Sequence, residues 1–122
     1  MIGYVTLGTR DLARAAAFYD QLLATIGAMR FMESDQFIAW SVAPDKPSLG
    51  VTLPHDGKAA TVGNGVMVAL VVDRKDKVDA LHSKALELGG TDEGPPGPRG
   101  EGFYAGYFRD LDGNKLNAFC VG

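Results

Sequence analysis

The sequence has few of the residues that most often build disulfides, metal sites or nucleic-acid interfaces. It contains one cysteine, Cys120, and two histidines, His55 and His82. A single thiol cannot form an internal disulfide, so the chain is not a disulfide-stapled secreted domain, and we expect Cys120 to be a small buried hydrophobe. Lys and Arg are scattered and the net charge is −3, which does not indicate a nucleic-acid partner.

Long apolar runs are also absent. No run approaches the roughly 18 residues that span a bilayer, and the sequence opens without the charged region and apolar core of a signal peptide. We therefore expect a cytoplasmic protein with no membrane partner. What is present is typical of a globular domain: 122 residues, of which 46% are hydrophobic and 22% are charged. This composition argues against disorder and suits one compact domain.

Apolar periodicity predicts two helices and about eight strands. The elements predicted in the first half are a strand at 2–7, a helix capped by Thr9 or Asp11 and ended by Gly27, and strands at 29–34, 37–43 and 49–53. Those predicted in the second half are a strand at 65–73, a helix at 74–90 and strands at 103–110 and 115–121. The glycine- and proline-rich stretch 91–102 is predicted to be a loop. His82 is expected on a solvated or lateral face of its helix, and Trp40 in the core or at a dimer surface.

The two halves resemble each other at an offset of 63 residues. This offset places Val5 on Val68 and Leu7 on Leu70, and the order of element types repeats. Such self-similarity indicates a duplicated supersecondary unit. We therefore predict a single domain, 1–122, with a first module at about 1–54, a linker at about 55–64 and a second module at about 65–122. Two such sheets side by side would enclose a cleft suited to a ligand.

Three stretches carry a resemblance to a known family: "YVTLGTRDLARAAAFYDQLLATIG", "GNGVMVALVVDRKDKVDALHSKALELGG" and "YFRDLDGNKLNAF". The sequence resembles the vicinal oxygen chelate superfamily, the group of glyoxalases, bleomycin-resistance proteins and extradiol dioxygenases. The resemblance implies an α+β fold, with two paired βαβββ modules forming a curved mixed sheet around a cleft. It also implies a homodimer and, as the family norm, a divalent metal held by His, Gln and Glu.

The usual metal-ligand positions hold other residues. By the resemblance they fall on Tyr4, on Gly50 or Thr52, on Met67 and on Asn117. A neutral phenol, a thioether and an amide bring no negative charge to a hard dication, so no metal site and no cofactor are predicted. His55, in the linker, and His82 are not expected to be ligands. The turn at 112–114 is assigned no chemistry.

The predicted cleft suits a flat or apolar organic molecule. Its predicted lining is Tyr4, Thr6, Met67, Ala69, Ala105, Tyr107, Asn117 and Phe119, with Arg109 as a further candidate. Three functions stay open. The first is a metal-free protein that binds a small organic ligand. The second is an atypical enzyme, either a lyase or isomerase with Tyr4 or Tyr107 as acid or base, or a metal-dependent dioxygenase-like protein. The third is a structural dimer with a filled cleft. Catalytic residues are not assigned.

Overall fold

The fold consists of two units, each with one helix packed on a four-stranded sheet. The computed structural model describes all 122 residues, and the chain divides into unit 1, Met1–Val62, and unit 2, Gly63–Gly122. Unit 1 contains β1 (Tyr4–Gly8), α1 (Leu12–Ala24), β2 (Met29–Glu33), β3 (Phe37–Ser41) and β4 (Ser48–Thr52). Unit 2 contains β5 (Val68–Val71), α2 (Lys75–Glu87), β6 (Thr91–Pro98), β7 (Phe103–Arg109) and β8 (Lys115–Val121).

The two sheets have the same mixed topology. The strand order is β1-β4-β3-β2 in the first sheet and β5-β8-β7-β6 in the second. In each sheet the first strand runs parallel to the last strand of its unit, and the other neighbours are antiparallel. The predicted α+β class and the two βαβββ modules are confirmed. Neither helix is long and apolar enough to cross a membrane.

The start of helix α1 is set by a capping side chain, and its end is followed by a glycine. The Asp11 side chain accepts a hydrogen bond from the backbone N–H of Arg14 (3.0 Å), so Asp11 is the N-cap. Thr9 supports this turn, because its hydroxyl oxygen accepts from the Asp11 N–H (3.1 Å). After the helix, Gly27 has a φ of +78°, the left-handed conformation that glycine adopts without strain. The buried face of the helix comprises Ala15, Ala16, Phe18, Tyr19, Leu22 and Leu23.

Unit 1 has its core between α1 and one face of the first sheet. Trp40 on β3 is 1% exposed and lies 5.6 Å from the Tyr19 ring, centroid to centroid. Its indole N–H donates to Asp20 on α1 (2.8 Å), and the same carboxylate accepts two hydrogen bonds from Arg30 on β2. Trp40 is therefore a core residue. Asp20 connects the helix to two strands.

Unit 2 has an equivalent core under α2, and it includes His82. The expectation that His82 lies on a solvated or lateral face is wrong, because the residue is 5% exposed. Its Nε2 lies 3.0 Å from Asp92 Oδ1 and 3.1 Å from the Tyr107 carbonyl oxygen. Its ring packs edge-on against Phe108, with centroids 6.3 Å apart. A polar side chain is tolerated there because β6 and β7 supply its hydrogen-bond partners. Cys120 is buried, as predicted.

Strand β6 corrects the prediction of a loop at 91–102. Thr91–Pro98 pairs with β7 despite three prolines, because β6 is the edge strand and needs to donate hydrogen bonds to one neighbour only. Register shifts on both sides of Gly94 accommodate the irregular backbone. The strand predicted at 65–73 is also shorter than expected, since β5 covers only Val68–Val71.

The hairpin between β7 and β8 is closed by two side chains, those of Asp110 and Asn114. The Asp110 carboxylate accepts from the backbone N–H of Asp112 and from that of Asn114, both at 2.9 Å. The side-chain NH₂ group of Asn114 also donates to the Asp110 carboxylate (3.0 Å). Gly113, in the same turn, has a φ of +92°. The motif therefore fixes the register of β7 and β8.

Candidate functional site

Each sheet has one face covered by its helix and one face turned away from it, here called the open face. In the first sheet, the strands alternate so that Trp40 packs towards α1 while Phe37 and Ala39 lie on the open face. Cross-strand pairing places Thr6 beside Gly50 and Gly50 beside Ala39 on this face. The predicted site residues of unit 1, Tyr4 and Thr6, are thus both on the open face.

A pocket of about 750 Å³ lies against the open face of the first sheet. Tyr4 and Phe37 form one aromatic wall, with ring centroids 6.3 Å apart in an edge-to-face arrangement. Phe31 and Met32 add an apolar wall from β2, where a β-bulge between Arg30 and Met32 directs consecutive side chains into the pocket. The remaining lining residues are Met1, Ile2, Gly3, Thr6, Ala39, Pro44, Asp45, Lys46, Pro47 and Ser48.

The position of Phe37 depends on the absence of a side chain at Gly50. A Cβ atom at Gly50 would lie 2.5 Å from Phe37 Cε2 and 2.8 Å from its Cζ, far inside van der Waals contact. The aromatic ring therefore occupies the space that any other residue at this position would fill. Gly50 and Thr52, the two candidates for the fourth-strand position, share the open face as predicted.

The other predicted site residues lie in unit 2. Phe108 contacts His82 of α2, so its neighbour Tyr107 points to the open face of the second sheet. Cross-strand pairs place Tyr107 beside Asn117, Asn117 beside Ala69, and Ala105 beside Phe119. Met67 lies one residue before β5 and is 40% exposed. The structure thus brings the predicted residues together in two groups, one in each unit.

The open face of the second sheet changes from cationic to apolar along its strands. At one end, Arg109 and Lys115 are cross-strand neighbours, and Arg109 forms an ion pair with Glu93. At the other end, Phe119 stacks on Phe103 with centroids 5.3 Å apart. Asn117 lies between these ends.

Asn117 is 2% exposed, and its Oδ1 has no hydrogen-bond partner in the chain. It is the one buried side-chain polar atom without such a partner. Buried amide oxygens are nearly always paired, so this position is chemically exceptional within the fold.

The sequence prediction included only Tyr4 and Thr6 of the pocket in unit 1 and missed its other aromatic and thioether walls, Phe31, Met32 and Phe37. Strand alternation could have found Phe37, because placing Trp40 in the core puts Phe37 and Ala39 on the opposite face. Phe31 and Met32 carried no such signal, since the β-bulge that brings both to the pocket breaks the two-residue period.

Comparison with known proteins agrees with this geometry. The sequence profile described as "Glyoxalase/Bleomycin resistance protein/Dioxygenase superfamily" matches residues 1–118. The chain belongs to this superfamily. The resemblance noted from the sequence is therefore confirmed, together with the glyoxalase-like fold. No curated protein matches the chain in sequence.

Solved structures of superfamily proteins share the whole fold. A glyoxalase/bleomycin resistance protein from Albidiferax ferrireducens T118 is 34% identical, with a TM-score of 0.92 over 100% of this chain and 99% of that one. A glyoxalase/bleomycin resistance protein/dioxygenase family enzyme from Burkholderia phytofirmans PsJN is 22% identical, with a TM-score of 0.78 over 98% of both chains. Lactoylglutathione lyase from Agrobacterium tumefaciens is 21% identical, with a TM-score of 0.71 over 98% and 92%. The last two likenesses concern the fold alone.

The residues that the family resemblance places at the usual metal positions form a poor donor set for a hard divalent cation. The Thr52 hydroxyl lies within hydrogen-bond distance of two backbone carbonyls, Gln36 (3.2 Å) and Leu53 (2.9 Å), and Gly50 has no side chain. Tyr4 offers a phenol and Met67 a soft thioether. Asn117 brings an uncharged amide. No group of three or more His, Cys, Asp or Glu side chains in the chain is placed to hold a metal ion.

Proposed function

We propose that this superfamily member binds a small, flat, uncharged organic molecule in the pocket of unit 1, without a metal ion. The observation that carries the proposal is the aromatic and thioether lining of a pocket of about 750 Å³. Ligand sites in proteins have volumes of roughly 300–1,000 Å³ and are lined mainly by apolar and aromatic side chains. Tyr4 is 66% exposed, so its ring is accessible for stacking with a ligand.

The polar groups of the pocket support a ligand with few hydrogen bonds. The rim contains one acidic and one basic residue, Asp45 and Lys46, in the connection between β3 and β4. Thr6 and Ser48 add hydroxyl groups from the sheet itself. Opposite rim charges give no net attraction for a charged ligand. Apolar burial and ring stacking therefore supply the affinity, and the hydroxyl groups orient the ligand.

Removing the Tyr4 ring should weaken this binding. We expect Tyr4→Ala to raise the Kd for 2-naphthol about tenfold. The lost aromatic contact, with the apolar area that it buries, should reduce the binding free energy by roughly 1.4 kcal/mol. Isothermal titration calorimetry measures the Kd. Tyr4→Phe keeps the ring and should bind nearly as well as the parent protein. Met29→Ala removes another exposed apolar side chain, outside the pocket lining, and serves as the control.

The same titration distinguishes the alternatives raised by the sequence. Binding that Tyr4→Ala leaves unchanged would contradict the proposed pocket. No binding of naphthol or of other flat aromatic compounds would favour the structural dimer with a filled cleft. Binding that requires a divalent ion would favour the atypical metal-dependent enzyme.

The proposal includes a homodimer in the cytoplasm. Val71 and Val121 are 69% and 75% exposed, and both lie at the apolar end of the open face in unit 2, next to Phe103 and Phe119. Exposed apolar side chains grouped on a sheet face are commonly covered by a protein partner, and a second copy is the partner that the family resemblance implies. Light scattering should therefore give twice the chain mass of 12.9 kDa.

A substitution tests whether this surface holds the dimer. Val71→Asp should reduce the measured mass to that of one chain, because it places a charge among desolvated apolar groups. Val62→Asp, at an exposed valine in the other unit, should leave the mass unchanged. A single-chain mass for the parent protein would contradict the homodimer.

A further inference from the structure

Two cationic side chains flank one aromatic ring on the open face of the second sheet. The Lys115 Nζ and the Arg99 Cζ each lie 5.6 Å from the centre of the Tyr107 ring. Neither side chain forms an ion pair: Arg99 donates to the backbone carbonyls of Pro95 (2.6 Å) and Pro98 (3.3 Å), and Lys115 has no carboxylate partner. These contacts hold two positive charges without carboxylate partners at one aromatic ring, on a chain whose net charge is −3.

A carboxylate on the neighbouring edge strand, Glu93, is already engaged. Glu93 pairs with Arg109, whose Nη1 also donates to the Gly113 carbonyl (3.0 Å). Arg109 is the cross-strand neighbour of Lys115, so Glu93 compensates the charge of Arg109 and leaves that of Lys115 unmatched. An anion bound near Tyr107 would be attracted by both Lys115 and Arg99.

The unpaired amide adjoins the same ring. Asn117 is the cross-strand neighbour of Tyr107, and its buried Oδ1 lacks a hydrogen-bond partner. An Asn side chain has two donors and an acceptor on one rotatable amide, so a rotation of that group presents either the oxygen or the NH₂ group. Its unused hydrogen-bonding capacity is therefore available to a polar molecule at Tyr107.

An apolar surface begins at Phe119, the next residue of β8 on the same face after Asn117. Phe119 follows Asn117 by two residues on the same face and stacks on Phe103. Val71, which pairs with Phe119 across the sheet, begins the surface proposed for the homodimer. A molecule with its charged group at Lys115 would thus have its body over Phe119, at the border of that surface.

We propose that the open face of the second sheet binds a small carboxylate with an apolar body. The carboxylate lies at the Tyr107 ring, where Lys115 and Arg99 attract it, the NH₂ group of Asn117 donates a hydrogen bond to it, and the body packs against Phe119. This site is formed by residues of unit 2 and uses charge, whereas the pocket proposed for an uncharged molecule is formed by residues of unit 1. Because partly exposed charges are screened by salt, its affinity should fall as the ionic strength rises.

Benzoate is the probe for this site, and benzyl alcohol is its uncharged counterpart. The experiment is a titration of the isotope-labelled full chain, followed by backbone amide resonances in two-dimensional NMR. We expect benzoate to shift the resonances of Tyr107, Asn117 and Phe119, with a Kd about tenfold lower than that of benzyl alcohol, corresponding to roughly 1.4 kcal/mol. Raising the salt concentration should weaken benzoate binding and leave benzyl alcohol unaffected.

Lys115→Met tests the charge while keeping a long apolar stem. We expect it to raise the benzoate Kd about fivefold to tenfold, with chemical-shift changes in the free protein confined to the neighbours of position 115. Lys58→Met removes the same charge from an exposed position in unit 1 and should have no effect. Equal Kd values for benzoate and benzyl alcohol, or an unchanged benzoate Kd in Lys115→Met, would overturn the proposal. Neither outcome bears on naphthol binding in unit 1.

Discussion

Replacing Asp20 by alanine is expected to lower the free energy of unfolding by about 3 kcal/mol. The main cause is the indole N–H of Trp40, which is buried with the ring and donates to Asp20 at 2.8 Å. A buried donor left without an acceptor costs about 1–3 kcal/mol, at the upper end when the lost acceptor is charged. Asp20 also pairs with Arg30 through two hydrogen bonds, but both side chains are more than a third exposed, so that contact adds less than about 1 kcal/mol.

Urea unfolding, followed by the fluorescence of Trp40, measures this loss. Asp20→Asn keeps an oxygen that can accept from the indole, so it should lose about 1 kcal/mol only. Asp73→Ala is the matched control, because Asp73 is exposed and forms an ion pair with Lys77 (2.8 Å) at the protein surface. Its expected loss is close to zero, since exposed ion pairs contribute little to stability. Equal losses for Asp20→Ala and Asp73→Ala would show that the indole contact does not stabilise the fold.

The same carboxylate should make stability depend on acid pH. The hydrogen bonds from Arg30, and to a lesser degree that from Trp40, hold the pKa of Asp20 below its ordinary value, against the opposing effect of burial. A lowered pKa in the folded state means that the contribution is complete above the unfolded pKa of about 3.9 and is lost as the pH falls through the folded pKa. Asp20→Ala should therefore show a shallower loss of stability below about pH 4 than the parent protein.

Gly50→Ala is expected both to destabilise unit 1 and to impair its pocket. The added methyl group would lie 2.5 Å from Phe37 Cε2, so the aromatic ring must move away from the sheet and into the pocket. Overpacking of this kind costs about 1–3 kcal/mol. The displaced ring would occupy ligand space, and we expect the Kd for 2-naphthol to rise about tenfold or more.

Gly3→Ala is the control for this substitution. Gly3 also lines the pocket, and a Cβ there would have no atom within 4 Å. The stability and the naphthol affinity of the Gly3→Ala variant should stay close to those of the parent protein. A second variant, Phe37→Leu added to Gly50→Ala, should recover part of the lost stability, because the two positions compete for one space. If Gly50→Ala matched Gly3→Ala in both measurements, the packing of Phe37 over Gly50 would not be as described.

The sequence predicted the elements whose apolar period is strong. Val78, Leu81 and Ala85 recur at three- and four-residue steps and are all buried on α2. His82 follows Val78 by four residues, so the same period could have placed it in the core. Because histidine is polar, it was nevertheless expected outside the core. The groups that make its burial possible, Asp92 and the Tyr107 carbonyl, belong to strands far from it in sequence.

Strand β6 could not be predicted from local preferences. Pro95, Pro96 and Pro98 indicate a loop when the stretch is considered alone. Only the position of β6 at the sheet edge, next to β7, makes the missing N–H groups tolerable. Such tertiary context is not encoded in the residues of the segment itself.

The candidate site was predicted in part for a similar reason. Strand alternation correctly put Tyr107, Asn117 and Phe119 on one face of the second sheet. The pocket of unit 1 depends on a bulge in β2 and on the close approach of Phe37 to Gly50. Both features result from how neighbouring strands pack, and neither leaves a periodic pattern of residue types in the sequence.

The proposed function depends most on whether the pocket of unit 1 binds an organic molecule without a metal ion. The direct test is calorimetric titration of 2-naphthol into protein purified without a metal-affinity tag, first with a chelator present and then after addition of Mn²⁺ or Ni²⁺. We predict the same Kd in both conditions, because Tyr4, Phe37 and Met32 supply the contacts and no ligand set for a hard cation is present. Binding that appears only after a divalent ion is added would contradict the account.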